Sequence, residues 1–261
     1  MLTAAGKWKV DIEAEHQVYR NRDGKRLPGV TTVLGNLDKP ALRGWYADME
    51  RAHVLAAVDA LLREYDGQVM DGLARDLRSR LGEKWAADVK KDKAADIGTV
   101  THARCEAFVK GPYELDEAGL APELVRCSMP GFLRFQELWA REGLVLVHSE
   151  FQMVSEVMQV GGTADIIARR PDGALVLKDL KTSKASKWWP YAETIAQVST
   201  YAEMYAELTG KRIDVIEVER IGKEESDPGQ TYLLNDAERA GGFKLFRAAL
   251  DAHNAKKEIG R

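Results

Sequence analysis

The stretch from Gly161 to Lys184, GGTADIIARRPDGALVLKDLKTSK, constrains the fold most strongly, because it reads as two apolar strands joined by a tight turn. The Pro-Asp-Gly sequence at 171–173 suits a three-residue loop whose glycine takes the left-handed position. In the register of that loop, Asp165 lies directly opposite Asp179. A two-residue Asp-Gly loop is the alternative, and it would place the two acids on opposite faces of the sheet.

Two facing carboxylates inside apolar strands need a physical reason. Like charges across a sheet destabilise it, and partly buried carboxylates cost more. A divalent cation removes the conflict, since Mg²⁺ takes one or two carboxylates together with waters and phosphate oxygens. Lys181 follows Asp179 by two positions and shares its strand face. Two acids, a metal and an ammonium group can hold a water in line with a phosphodiester. The alternative is a surface hairpin with ordinary solvated charges.

At these residues the chain resembles the PD-(D/E)XK nucleases, specifically the RecB-like branch that includes phage and repair exonucleases. The pattern is an acid on the second core strand, here Asp165 in GGTAD, and acid-x-Lys on the third, here Asp179 and Lys181 in DLKT. The N-terminal segment LPGVTTVLGNLDKPALRGWYADM also looks like that of phage members. Ala164 departs from the pattern, because it replaces the proline in the family's name.

Two helical motifs extend the resemblance. Gln197 and Tyr201 in AQVSTYAEMY match the Gln-x-x-x-Tyr helix that follows the third strand. Gly98 and His102 in GTVTH match an upstream Gly-x-x-x-His helix. The resemblance covers roughly Ile97–Tyr205, and its four elements occur in the family's order.

The resemblance implies a role for each matched residue. Asp165, Asp179 and Lys181 are the implied catalytic residues, with both aspartates as metal ligands. The backbone carbonyl of Leu180 and the imidazole of His102 are further implied ligands. Lys181 is expected to orient the attacking water, since a lysine of ordinary pKa near ~10.4 is a poor base at neutral pH. The implied cofactor is Mg²⁺ or Mn²⁺, with one or two ions.

The remaining candidates are DNA contacts or residues that support the metal ligands. Gln197 and Tyr201 are expected to hold the DNA backbone or to position the catalytic lysine, with helix packing as the alternative for Tyr201. The segment KDLKTSKASKWW combines lysines with two tryptophans, as expected of a groove that follows a nucleic-acid strand, although we expect at least one of the two tryptophans to be buried under the helix instead. The candidates outside the motifs are Lys178, Lys184, Lys187, Trp188, Glu106 and Glu150, and for the two glutamates an ordinary surface acid is the alternative.

Bulk composition excludes several classes of protein. A net charge of −3 and a pI near 6.0 give no global basic field, so a site for a polyanion must be local. Two cysteines are too few for the four-cysteine iron–sulfur cluster that some relatives hold. There is no apolar run of signal-peptide or membrane-spanning length. We therefore expect a cytoplasmic protein, in the bacterial host if phage-encoded, with no membrane partner.

The pattern along the chain predicts a mixed α/β fold. The expected architecture is a restriction-endonuclease-like core, a central mixed sheet flanked by helices, with an N-terminal β-hairpin and helical elaboration. We expect a single nuclease domain over 1–261, divided into the elaboration (1–95), the core (96–235) and a C-terminal helix (236–261). The first forty residues read as strand and turn, and Pro130 is expected to interrupt a helix.

These observations predict a Mg²⁺-dependent DNA exonuclease of phage-type recombination or repair. DNA is the expected partner, with a single-strand annealing or recombination protein and a second copy of the chain as further candidates. One alternative is a catalytically silent module that binds DNA or protein on the same fold. Another is a site-specific endonuclease. Cleavage polarity, strand preference and the choice between DNA and RNA stay open.

Overall fold

The structure is a computed structural model that describes residues 5–9, 18–37, 40–65, 73–111, 113–183, 188–222, 227 and 229–260. Its elements, in chain order, are β1 (Trp8–Lys9), β2 (Tyr19–Arg20), β3 (Arg26–Leu27), α1 (Val30–Leu34), α2 (Pro40–Glu64), α3 (Leu73–Leu81), α4 (Ala86–Lys110), β4 (Leu115–Asp116), α5 (Pro122–Glu142), β5 (Val145–Ser155), β6 (Val160–Arg169), β7 (Leu175–Thr182), α6 (Ala192–Thr209), β8 (Val215–Ile221), β9 (Gln230–Leu233) and α7 (Asp236–Glu258).

The central sheet is mixed and has the strand order β5-β6-β7-β8-β9. Neighbouring strands are antiparallel except for β7 and β8, which run parallel. A parallel pair needs a crossover connection, and α6 supplies it between β7 and β8. A small antiparallel hairpin, β2–β3, precedes the sheet near the N-terminus. The predicted fold class, a mixed α/β protein with a central mixed sheet between helices, is confirmed.

Strand alternation sends side chains into two separate cores. Leu177 of β7 packs on one face, in a cluster that includes Val198 of α6 and Phe246 of α7. Leu180 of the same strand packs on the other face, in a cluster that includes Phe135 of α5. Each face of the sheet is therefore covered by helices, and the central strands are buried on both sides.

The turn between β6 and β7 has the predicted three-residue form. The backbone N–H of Arg170 donates to the carbonyl oxygen of Ala174 at 3.0 Å, and the loop glycine has a φ of +92°. The antiparallel ladder keeps this register along the hairpin and stops one residue short of Asp165 and Asp179. The three-residue loop is thus confirmed, and the two aspartates follow at the end of the paired region.

The segment LPGVTTVL does not form a strand, and this prediction was wrong. After β3 it forms the short helix α1, although valine and threonine favour strands. Val30, Val33 and Leu34 are the buried residues of this helix, at the i, i+3 and i+4 spacing of a helical face. Burial of that face outweighs the local β propensity.

Pro130 does not interrupt its helix either. It lies inside α5, which is continuous from Pro122 to Glu142. A Cβ atom added at the neighbouring Gly131 would lie 2.0 Å from the Ile221 side chain, so α5 and β8 pack closely at this point. This tertiary contact offsets the hydrogen bond that an internal proline removes.

The chain divides into two compact units. One unit comprises Met1–Leu37 and Ile97–Arg261 and contains the whole central sheet, and the other comprises Asp38–Asp96 and contains α2 and α3. The division of the chain into segments 1–95, 96–235 and 236–261 stays a prediction. Among the described residues, no helix has both the length and the apolar character to cross a bilayer.

We predict that Asn235→Ala lowers the free energy of unfolding by about 1 kcal/mol. The Asn235 side chain accepts from the backbone N–H of Glu238, and the Glu238 side chain accepts from that of Asn235, which forms a complete capping box at the start of α7. Asn254→Ala, at an exposed position of the same helix, is the matched control and should not destabilise the protein. Equal losses for the two variants in urea denaturation would contradict the role of the cap.

Candidate metal centre and active site

The candidate site lies where β6 and β7 stop pairing. Asp165 Oδ2 accepts the backbone N–H of Leu180 at 2.7 Å, so a side chain takes the place of a ladder hydrogen bond. The Asp165 side chain keeps 17% of its surface exposed, whereas that of Asp179 is 1% exposed. The hairpin thus presents one partly exposed carboxylate beside one buried carboxylate.

Glu150 joins these acids through an irregularity in β5. Its φ is +47°, a left-handed conformation that non-glycine residues seldom adopt. The β5–β6 ladder is also irregular between Leu146 and His148, and it has no registered pair between Glu150 and Asp165. Local strain of this kind concentrates at functional sites. The left-handed backbone at Glu150 places its carboxylate close to that of Asp165.

His102 reaches the same place from α4. Its Nδ1 lies 3.8 Å from Asp165 Oδ2. Gly98, one turn earlier on the helix, explains the close approach, because a Cβ atom there would lie 2.9 Å from Thr182 Oγ1 of β7. The Gly-x-x-x-His spacing therefore has a physical basis. Gly98 lets α4 lie close to the sheet, and His102, one turn later, then lies close to Asp165.

His102, Glu150 and Asp165 form a candidate metal-binding group. Each offers one ligand atom, and these three atoms lie within 4.8 Å of one another. Two carboxylates suit Mg²⁺ or Mn²⁺, and the imidazole nitrogen suits a first-row transition ion better than Mg²⁺. The three residues therefore fit a divalent cation of this class, with Mn²⁺ satisfying the whole donor set best.

Asp179 and Lys181 form an ion pair beside this group. Lys181 Nζ lies 2.6 Å from Asp179 Oδ2. Gln197 Nε2 approaches Asp179 Oδ1 at 3.4 Å and donates to the Tyr201 hydroxyl at 3.2 Å. The buried carboxylate is thereby held from both sides, by an ammonium on its own strand and by an amide on α6.

Burial, together with neighbouring negative charge, shifts the pKa values of this site. Burial, with Asp165 as the next contributor, raises the pKa of Glu150 to about 8. Burial also raises the pKa of Asp179 to about 6, although Lys181 opposes the shift. Burial by itself would lower the pKa of Lys181, but the attraction of Asp179 and Asp165 outweighs it, and the net pKa is raised. Lys181 is therefore a cation at neutral pH, which favours orientation of a ligand over proton abstraction.

Tyr201 is buried beneath the hairpin. It is 3% exposed, and a Cβ atom added at Gly162 would lie 2.5 Å from its ring. The ring therefore packs against the glycine of β6 while its hydroxyl meets Gln197. These contacts favour a packing role for Tyr201, in which its hydroxyl also positions Gln197, over direct contact with the DNA backbone.

Two of the predicted DNA contacts, Lys178 and Trp188, are buried inside the protein. Lys178 is 2% exposed and forms ion pairs with Glu217 at 2.6 Å and Glu142 at 3.3 Å, so its charge is neutralised inside the protein. Trp188 is 9% exposed and belongs to the core on the α6 face, so its ring is not free to stack on a base. Trp189 is the exposed member of the pair, at 71%.

Of the other candidates, some lie at the site and some lie in parts of the chain that the structure does not describe. Lys184 and Lys187 lie outside the described residues. Glu106 forms an ion pair with Lys110 one turn along α4, and its charge contributes to the raised pKa of Glu150. A metal-ligand role for the Leu180 carbonyl stays a prediction. The sequence suggested only a supporting role for Glu150, because a left-handed residue in the middle of a strand leaves no signal in hydrophobic alternation.

Comparison with known proteins gives distant structural neighbours. No protein-family model matches the sequence, and no curated protein matches it. The chain is similar to the crystal structure of SSO0001, with 16% identity and a TM-score of 0.31 over 49% of this chain and 61% of that chain, less than two thirds of its length. It is also similar to a "Putative exonuclease" from Eubacterium rectale, with 15% identity and a TM-score of 0.33 over 69% of this chain and 72% of that one.

We predict that the metal-free protein loses stability as the pH rises from about 4.5 to about 8. The unfolded chain releases the Glu150 proton near 4.5, whereas the folded protein holds it until about 8, so the free energy of unfolding falls across that window. Asp179 adds to the fall only below about 6. Glu150→Gln should therefore flatten the upper part of the profile, measured by urea denaturation in EDTA at a series of pH values.

The matched control is Glu137→Gln, because the Glu137 side chain is 70% exposed. This variant should keep the wild-type pH dependence. A wild-type slope above pH 6 in Glu150→Gln would contradict the raised pKa.

Proposed function

We propose that this protein is a divalent-metal-dependent nuclease that hydrolyses DNA phosphodiester bonds as an exonuclease. The observation that carries the proposal is the convergence of His102, Glu150 and Asp165 beside the Asp179–Lys181 ion pair. Three ligand atoms for a hard cation next to a fixed ammonium group are the parts that phosphodiester hydrolysis requires.

The protein's own residues have distinct roles in this proposal. Asp165, Glu150 and His102 would hold a Mg²⁺ or Mn²⁺ ion, with Asp179 available at the adjacent strand position. When bound, the ion would polarise the scissile phosphate and lower the pKa of a coordinated water. Asp165 is already supported by a neighbouring group, because the Leu180 backbone N–H donates to its Oδ2. Such support reduces the reorganisation needed on substrate binding.

Lys181 would orient the substrate and offset the charge that develops on the phosphate. Its side chain is 32% exposed, and Asp179 anchors its ammonium group. Gln197 would position Asp179 from α6. Preorganised charges of this kind stabilise a transition state because they need no rearrangement during the reaction.

The finer parts of the proposal come from the sequence. Exonuclease action, a RecB-like mechanism, and a place in phage-type recombination or repair follow from the resemblance in Asp165, Asp179-x-Lys181, Gln197 and Tyr201. The Gln-x-x-x-Tyr helix is the element that favours shortening from an end over cleavage at a recognition sequence.

We predict that Asp179→Asn and Lys181→Met each lower the rate of DNA hydrolysis at least ~100-fold, because each removes a charge fixed next to the reacting phosphate. Asp172→Asn, in the exposed turn of the same hairpin, is the matched control and should retain wild-type activity. The assay is digestion of end-labelled linear, nicked and circular DNA with Mg²⁺, with Mn²⁺ and with EDTA. EDTA should abolish product, and circular DNA should resist digestion.

Each contrary result has a distinct meaning. Degradation that persists in Asp179→Asn would indicate a contaminating nuclease. DNA binding without product in any metal would indicate a silent binding module. Discrete bands from circular DNA would indicate a site-specific endonuclease.

A further inference from the structure

Trp189 presents its ring to solvent from a backbone that is held in place. The residue is 71% exposed, whereas Trp188, its neighbour in the chain, is buried in the core on the α6 face. The carbonyl oxygen of Trp188 also accepts a hydrogen bond from Gln230 Nε2 at 3.1 Å, which ties this segment to β9. A large aromatic ring that is fixed in position and open to solvent is available to a binding partner.

Tyr232 of β9 supports the Trp189 ring on one side. The two ring centroids are 5.5 Å apart and the ring planes lie at 77°, which is an edge-to-face arrangement. The Tyr232 hydroxyl donates to Glu238 Oε1, and Glu238 Oε2 accepts the backbone N–H of Asn235 in the capping box of α7. Tyr232 is thus fixed at its hydroxyl end. An edge-to-face pair leaves at least one flat face of the indole uncovered, in agreement with the high exposure of Trp189.

The sheet register places these two rings beside the carboxylate site. Tyr232 pairs with Val218, and Val218 pairs with Asp179. Paired residues point to the same face, and neighbouring strands lie ~4.8 Å apart, so Tyr232 lies about 10 Å from Asp179 across two strands. That face is the one covered by α6, because Gln197 of this helix approaches Asp179. The Trp189 ring therefore lies on the sheet face that carries the Asp179 carboxylate.

A nucleobase suits an open indole face at this place. Bases are flat and aromatic, and proteins that hold unpaired strands without reading their sequence do so by stacking bases on aromatic side chains. In a duplex each base is already stacked on its neighbours, so the indole competes best for a base that is unpaired. An apolar segment of a partner protein is the alternative occupant. The short distance to Asp179 favours the substrate, because a strand held at the carboxylates carries its bases along with it.

We propose that Trp189, supported by Tyr232, stacks on an unpaired base of the strand whose scissile phosphodiester lies at the carboxylate site. The inference rests on the proposed function and deepens it, because it names an unpaired DNA strand as the substrate. Neither residue belongs to the sequence motifs of the site. Trp189 acts through the base, and it makes the choice between a single strand and a duplex.

The test compares strands that differ only in whether they carry bases. Every protein carries Asp179→Asn and is kept in EDTA, so that binding is measured without cleavage. The probes are a fluorescent strand of thymidine nucleotides, a strand of equal length built wholly from abasic nucleotides, and a blunt duplex of that length. The abasic strand keeps every phosphate and loses every base. Affinity is measured by anisotropy at several salt concentrations.

Trp189→Ala should weaken binding of the thymidine strand at least ~5-fold, the lower end of the range for one stacked base. Its affinity for the abasic strand and for the duplex should not change. The slope of log K against log salt should not change either, because no phosphate contact is lost. Trp85→Ala is the matched control and should bind as the parent does, since it removes a 64% exposed indole from the other compact unit.

Two further variants separate stacking from a general apolar contact. Trp189→Phe keeps an aromatic face and should retain most of the affinity, whereas Trp189→Leu is apolar without such a face and should lose as much as alanine does. Urea denaturation of each variant should match that of the parent, because the ring is exposed. Should alanine destabilise the fold, the contrast between phenylalanine and leucine still decides.

Four results overturn the proposal. Equal losses on the thymidine and abasic strands would assign Trp189 to the DNA backbone. An equal loss on the blunt duplex would remove the preference for an unpaired strand. Full affinity in Trp189→Leu would indicate a general apolar contact. Unchanged affinity for every probe would leave the ring to a protein partner.

Failure of this inference is distinguishable from failure of the proposed function. Cleavage by the wild-type protein, with Trp189→Ala binding every probe as the parent does, would retain the nuclease and reject the stacking site. A loss confined to the thymidine strand, without cleavage by the wild-type protein in any metal, would retain the stacking site on a binding module and reject the nuclease.

Discussion

Repulsion among three carboxylates in a small space is the constraint on which the site depends. Glu150, Asp165 and Asp179 come from three neighbouring strands, and burial deprives them of the water that would screen them. Lys181 compensates part of this charge, and the pKa of Glu150 nevertheless rises to about 8. A fold has no structural need for such an arrangement, since apolar residues would pack there without the penalty. A divalent cation at this place would offset the repulsion.

Close approaches at three glycines bring α4 and two tyrosine rings against the strands that carry the carboxylates. Gly98 admits α4 to the end of β7, while Gly161 and Gly162 leave room for the rings of Tyr19 and Tyr201. Larger residues at these positions would push His102 and the aromatic rings away from β6.

Features that depend on residues close together in the sequence can be predicted from the sequence alone. A Pro-Asp-Gly turn determines the register of its hairpin, and Asn235 starts a helix because its side chain caps the next turn. Features that depend on tertiary structure could not be predicted in this way. Glu150 enters the site through a left-handed backbone that no propensity indicates. Lys178 looked like a surface cation, but it pairs with glutamates of β8 and α5 that only the folded chain brings near.

We propose that Asp165 and Glu150 bind a divalent cation, and the function of the site depends on that ion. The most direct measurement is a crystal structure of the wild-type protein soaked with Mn²⁺, with data collected for anomalous scattering. We expect a single strong anomalous peak or a close pair within coordination distance of the Asp165 and Glu150 carboxylates and of His102. Two results would contradict this binding: no anomalous peak at the site in crystals where Mn²⁺ occupies other positions, or Asp165 and Glu150 carboxylates that face away from one another.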